Sequence, residues 1–209
     1  MNKKAIRHYL NAQTIMDDNT ESLIDECIQE VQSCAEFKAT YRCFHLTHQP
    51  LMLKEVQCIL SSDDLSFYFQ DCHECMVIAC TLGIAIDRKI KYYEHLNMAK
   101  AIVFDAVSNV YLEECCDQYE QTLDLGRYTF RFAPGYGDIP LSLNQTLASL
   151  LQIDKKIGVS LISSGLMIPM KSMIGIVGIG LQLKKTCLSC VRKEECELRK
   201  GGQRCYVID

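Results

Sequence analysis

Positive charge is never concentrated in this sequence. No block of Lys and Arg with interleaved aromatics occurs, and the formal net charge of -4 with a pI near 5.8 leaves no attraction for a phosphate backbone. No nucleic-acid partner is expected. No hydrophobic run reaches the length of a membrane span, and the basic start, Met1-Asn-Lys-Lys-Ala-Ile-Arg-His8, has no apolar segment behind it. The expectation is a cytoplasmic protein with no membrane partner. Internal repeats and low-complexity segments are absent. So is a Gly-rich loop after a first strand, which argues against a nucleotide-binding α/β unit and the common type of methyltransferase built on one. Proline is scarce: there are four in all, and Pro134 and Pro140 flank a single loop.

What is present suits one globular domain with a small appendage: 209 residues, 48% hydrophobic and 23% charged. Thirteen cysteines would spell disulfides in a secreted chain. In a cytoplasmic one they read as reduced thiols, some of them metal ligands.

Taken in order, residues 3–10 suit a short helix, and residues 20–36 carry Leu23, Ile24, Cys27, Ile28, Val31 and Cys34 at helical spacing behind a Thr20 cap. Residues 39–46 and 51–60 read as two strands around Gln49-Pro50, and Ser62 as the cap of a short helix burying Leu65, Phe69 and Phe67. The apolar run after Cys72-His-Glu-Cys75 has strand length and ends at Gly83. That C-x-x-C suits a metal or redox element, or simply small buried hydrophobes. A helix over 84–93 leads to Asn97, the cap of a long central helix to about Leu123, apolar in its first half and acidic in its second. Asp105, in the apolar half, needs a polar partner.

Residues 127–132 alternate as a strand, Ser142 to Gln145 form a capping box for a helix over 143–151, and 155–158 a turn. Residues 159–180 read as two or three strands. Helices and strands do not alternate regularly, so the fold class is α+β, with a mixed, mainly antiparallel sheet packed with helices. The composition shifts at Lys184-Lys185, dividing the chain into 1–184 and a Cys-rich tail, 185–209.

Two constellations carry chemistry. Residues 131–140 form a loop of ligand-binding type: Arg131 is a cationic fork suited to a carboxylate, and Gly135 and Gly137 allow close approach of the backbone to a bound molecule. An ordinary turn with a buried arginine is the alternative. In the tail, Cys187, Cys190, Cys196 and Cys205 are separated by two, five and eight residues in a stretch too polar to make its own core. They suit zinc or an iron–sulfur cluster, with Arg192, Lys193 and Arg199 offsetting thiolate charge.

Arg131-Phe-Ala-Pro-Gly-Tyr136, with Thr81-Leu-Gly83, Ile157-Gly-Val159, Met167-Ile-Pro169 and Ser172, resembles the activation domain of cobalamin-dependent methionine synthase, and most of all its free-standing version with a Cys-rich end. The resemblance runs from about residue 74 to 180. The domain fused to the synthase differs, with an acidic residue where Ser163 stands and aromatics where Ile176 and Val177 stand. The resemblance implies an S-adenosylmethionine site in which Arg131 grips the methionine carboxylate, Ala133 and Gly135 contact the ligand through the backbone, and Tyr136 packs beside ligand and corrinoid.

It also implies a role as an accessory component rather than an independent enzyme. A partner methionine synthase, or another corrinoid protein, supplies the cobalamin. Its oxidised Co(II) is returned to methylcobalamin by one electron and the methyl group of S-adenosylmethionine. That reduction requires a low-potential donor such as ferredoxin or flavodoxin, and favours iron–sulfur over zinc in the tail. The contrasting reading is a non-catalytic adaptor for S-adenosylmethionine or a corrinoid protein, with a structural zinc tail.

Overall fold

The computed structural model describes residues 1–10 and 18–180. The 184/185 boundary and all four tail cysteines lie outside them. The order of elements is α1 (Lys3–Tyr9), α2 (Asp18–Cys34), β1 (Lys38–His48), β2 (Leu51–Leu53), β3 (Cys58–Ile59), α3 (Asp63–Tyr68), β4 (Glu74–Thr81), α4 (Ile84–Leu96), α5 (Met98–Gln121), α6 (Leu143–Leu151), α7 (Ile153–Ile157), β5 (Ser160–Leu161), β6 (Met167–Ile168) and β7 (Ser172–Ile179). The class is α+β, as the sequence indicates.

A five-stranded sheet runs in the order β3-β2-β1-β4-β7, and β5 pairs with β6 in a separate antiparallel hairpin. Its neighbours are antiparallel. Leu46 pairs with Leu53 and Leu53 with Cys58, while the ends of β4 are tied by Leu46 N–H to His73 O at 3.0 Å, Glu36 N–H to Leu82 O at 2.9 Å, His73 N–H to Ile179 O at 3.0 Å and Leu82 N–H to Lys171 O at 2.9 Å. Strand β4 is buried from Cys75 to Thr81, which explains why its sequence is continuously apolar instead of alternating.

The chain divides into two compact units, with β1, β4 and β7 each contributing residues to both. The first comprises Met1–Thr40, Ala79–Leu123 and Gln152–Met173. In it α5 packs against α2 and α4, and Phe104, Ile24 and Ile86 are fully buried. Glu30 of α2 accepts hydrogen bonds from Lys89 Nζ at 2.5 Å and Tyr93 Oη at 2.6 Å, and lies 3.3 Å from Lys100 Nζ. Partial burial disfavours its charge, but the three donors outweigh that and hold its carboxyl below the usual range. The second unit comprises Tyr41–Ile78, Asp124–Leu151 and the described residues from Ile174 on. Phe44, Leu53, Leu65, Phe69 and Met76 form its core.

Several local expectations are corrected. Helix α2 begins before Thr20, so Thr20 lies within its first turn rather than at the cap. The run 51–60 is two short strands, interrupted by a 3₁₀ turn over Lys54–Val56 that Gln57 closes in the left-handed region at φ 50°. Phe67 is 66% exposed while Leu65 and Phe69 are buried, because a helix of one and a half turns has a single inner face. Residues 153–157 form a helical turn, ended by Gly158 at φ 70°. The acidic end of α5 is not fully solvated either: Cys115, Cys116 and Glu120 are buried, whereas Met98 and Ile102 at its apolar start are more than half exposed.

Candidate functional site

Residues 127–132 approach β7 without forming a regular strand. Two isolated antiparallel bridges, Tyr128 to Ile179 and Phe132 to Ile176, enclose one residue more on this segment than on β7. That is the count of a bulge. Thr129 takes up the mismatch: its N–H donates to Gly178 O at 2.9 Å and its Oγ1 accepts the Gly178 N–H at 3.0 Å. Phe132 and Ile176 exchange both backbone bonds, at 2.9 and 2.7 Å, and Phe132 stacks on Tyr68 with ring centroids 5.2 Å apart. Arg131 is thereby held, half-buried, beside a doubly hydrogen-bonded pair.

From there the chain turns back on itself. Tyr136 N–H donates to Ala133 O at 3.0 Å, Ile139 N–H to Tyr136 O at 2.9 Å and Gly135 N–H to Ile139 O at 2.8 Å. These bonds need Gly135 at φ 90° and Gly137 at φ 54°, a region closed to most side chains. At Gly137 space is closed as well, since a Cβ would collide with Asp64 Oδ2. Gly135 and Tyr136 point outward, Tyr136 with 38% of its surface exposed, while Pro134 and Ile139 are buried beneath.

Asp138, absent from the residues expected at the site, fixes the loop to the start of α3. Its carboxylate accepts from Ser62 Oγ at 2.5 Å, Asp63 N–H at 2.6 Å and Asp64 N–H at 3.4 Å. Ser62 Oγ in turn accepts the Leu65 N–H at 2.9 Å. The hydroxyl of Ser62, helped by the two amides, holds the Asp138 carboxyl below its ordinary range against the opposing cost of desolvation. A cap supplied from 76 residues away has no local signature.

The segment 160–172 lies in the first unit. The β5–β6 hairpin closes through Gly165 at φ 84°. Its exit is anchored at three points: Met170 N–H to Asp87 Oδ2 at 2.6 Å, Lys171 Nζ to Asp105 Oδ1 and Asn109 Oδ1 at 2.7 Å each, and Ser172 Oγ to Thr81 Oγ1 at 2.8 Å. Thr81 Oγ1 also accepts the Gly83 N–H at 3.1 Å. Asp105 thus has the partner its position demands, and Thr81, Gly83 and Ser172 hold backbone in place.

The thiols of Cys72 and Cys75 are those of buried hydrophobes. Burial, with a lesser contribution from Asp71, pushes the Cys72 thiol up to about 12, and burial likewise raises that of Cys75 well above the ordinary value. Among the described residues no group of His, Cys, Asp or Glu is arranged to hold a metal ion.

No family model matches the chain, and no curated protein matches it. Among solved structures, that of the MetH reactivation domain bound to AdoHcy matches over 88% of this chain and 73% of its own, at a TM-score of 0.59 and 15% identity. The chain has the reactivation-domain fold. A likeness at this identity resides in the arrangement of elements, with few shared side chains. Among the described residues no helix is long and apolar enough to cross a membrane.

Proposed function

We propose that the chain binds S-adenosylmethionine at residues 131–140 and serves as a free-standing reactivation factor for a corrinoid protein of the methionine synthase type. The observation that carries this is the fold: the domain it matches was solved with AdoHcy, which is S-adenosylmethionine without its methyl group. The loop is suited to such a ligand. Arg131 offers a fork for the amino-acid carboxylate, Ala133 and Gly135 offer backbone with no side chain beyond Cβ, and the exposed Tyr136 ring suits a sulfonium cation.

When bound, the ligand supplies the methyl group. The chain's own residues bind and orient it, while the acceptor is the cobalt of the partner's cobalamin. Returning Co(II) to methylcobalamin consumes one electron and one methyl cation and leaves S-adenosylhomocysteine. The electron comes from a low-potential donor of the ferredoxin or flavodoxin class. In this reading residues 185–209 are an appendage of a cytoplasmic protein, and Cys187, Cys190, Cys196 and Cys205 would hold an iron–sulfur cluster, which would supply low-potential one-electron chemistry.

Arg131→Ala tests the ligand assignment. Titration calorimetry should show S-adenosylmethionine binding lost with the thermal transition retained; unchanged affinity refutes it. Metal analysis and a visible spectrum of anaerobically purified protein test the tail. Brown protein carrying iron and sulfide supports the cluster, and colourless protein with one zinc supports the adaptor reading.

A further inference from the structure

Strand β7, Ser172-Met-Ile-Gly-Ile-Val-Gly-Ile179, carries two glycines in an apolar run. A strand gains nothing from glycine in itself, so each needs a reason. At Gly178 a Cβ would sit 2.5 Å from Cys72 Sγ and 2.9 Å from Phe69 Cδ1, which is core packing. Gly175 faces something else. A Cβ there would lie 2.5 Å from Arg131 Cδ and collide with Arg131 Cγ, with Ile78 Cγ2 more distant at 3.5 Å. The volume that a side chain would fill is occupied by two methylenes of Arg131.

The backbones on either side are fixed. Phe132 and Ile176, the residues following Arg131 and Gly175, exchange hydrogen bonds of 2.9 and 2.7 Å, so neither chain can retreat to make room. A free arginine stem has many rotamers, and ordering it opposes binding. Here the stem lies in a slot one residue wide.

We propose that Gly175 is a positioning residue for Arg131: the missing side chain is a groove in β7 that fixes the arginine stem and thereby where the guanidinium meets a ligand carboxylate. For the identity of the ligand this rests on the reading in the preceding section. For the placement of the side chain it rests on the geometry alone.

Gly175→Ala is compared with wild type by calorimetry against S-adenosylmethionine and its decarboxylated analogue, which lacks the carboxylate. Affinity for S-adenosylmethionine should fall about tenfold or more, the size of a misaligned charge-assisted pair. Affinity for the analogue should change less than twofold, and Arg131→Ala/Gly175→Ala should bind the analogue as Arg131→Ala does. Equal losses for both ligands, or no loss, overturn the inference, because damage to the fold does not discriminate by carboxylate.

Should Gly175→Ala fail to fold, removing the stem must rescue it. A double variant that also fails shows that other neighbours need the space, and overturns the inference. Should wild type not bind S-adenosylmethionine, the proposed function falls and the inference is decided by ¹⁵N NMR. Gly175→Ala should then shift the Arg131 Nε–H resonance, assigned by its loss in Arg131→Lys, and an unmoved resonance overturns the inference.

Discussion

Replacing Asp138 is the most direct test of how the loop is held. The carboxylate accepts two short bonds, from Ser62 Oγ at 2.5 Å and Asp63 N–H at 2.6 Å, and a long one from Asp64 N–H at 3.4 Å. A side chain capping a helix start contributes about 1 kcal/mol, and a charge-assisted bond about 1.5–3 kcal/mol where water is excluded. Asp138 is exposed, so solvent screening removes much of the larger figure. We therefore expect Asp138→Ala to cost about 1–2 kcal/mol at pH 7, or about 2–8 °C in Tm for a chain of this size. Asp138→Asn, which keeps one acceptor oxygen but no charge, should lie between.

The pH dependence has a definite sign. Folding lowers the pKa of this carboxyl, so its contribution is complete above the unfolded value of about 4 and fades as pH falls below that through the folded value. Melts of wild type and Asp138→Ala should separate at pH 7 and draw together as pH falls below about 4, the unfolded value. Exchange of the Gly135 and Ile139 amides, bonded across the loop at 2.8 and 2.9 Å, should quicken in the variant. Coincident melts at pH 7, or a gap of the same size in acid, refute the reasoning.

Alkylation at pH 8 should label the exposed Cys43 and spare Cys72 and Cys75, whose thiols burial holds far above that pH. Mass spectrometry reads this out, and equal labelling of native and urea-unfolded protein at those two positions contradicts their burial. Lys171→Met removes the cation 2.7 Å from both Asp105 and Asn109. Since the Asp105 side chain is 42% exposed and can rehydrate, the cost by urea unfolding should be near the lower end of about 1–3 kcal/mol. A neutral result shows that the pair does not anchor the hairpin.

Helix ends and buried runs were legible because their causes are local. Ser62 and Asn97 cap α3 and α5 through their own side chains, and α6 runs over the expected residues, Leu143–Leu151. The unbroken apolar run of β4 shows burial on both faces. Residues 127–132 misled because alternation reports the faces of an extended chain but not its pairing partner. Burial on α5 misled because acidic residues share its second half with Cys115 and Cys116, and the buried stripe continues past them.

By itself the sequence determined that the protein is α+β, that it has one long central helix, and that Arg131 leads into a Gly-Tyr-Gly loop, since composition, capping and backbone freedom belong to single residues and near neighbours. Tertiary structure alone decided that Asp138 caps a helix begun at Ser62, and that Gly175 makes room for the arginine stem. Both are properties of pairs distant along the chain. A hydrogen bond or a steric slot exists only once the two backbones have been brought together, and neither partner announces the other.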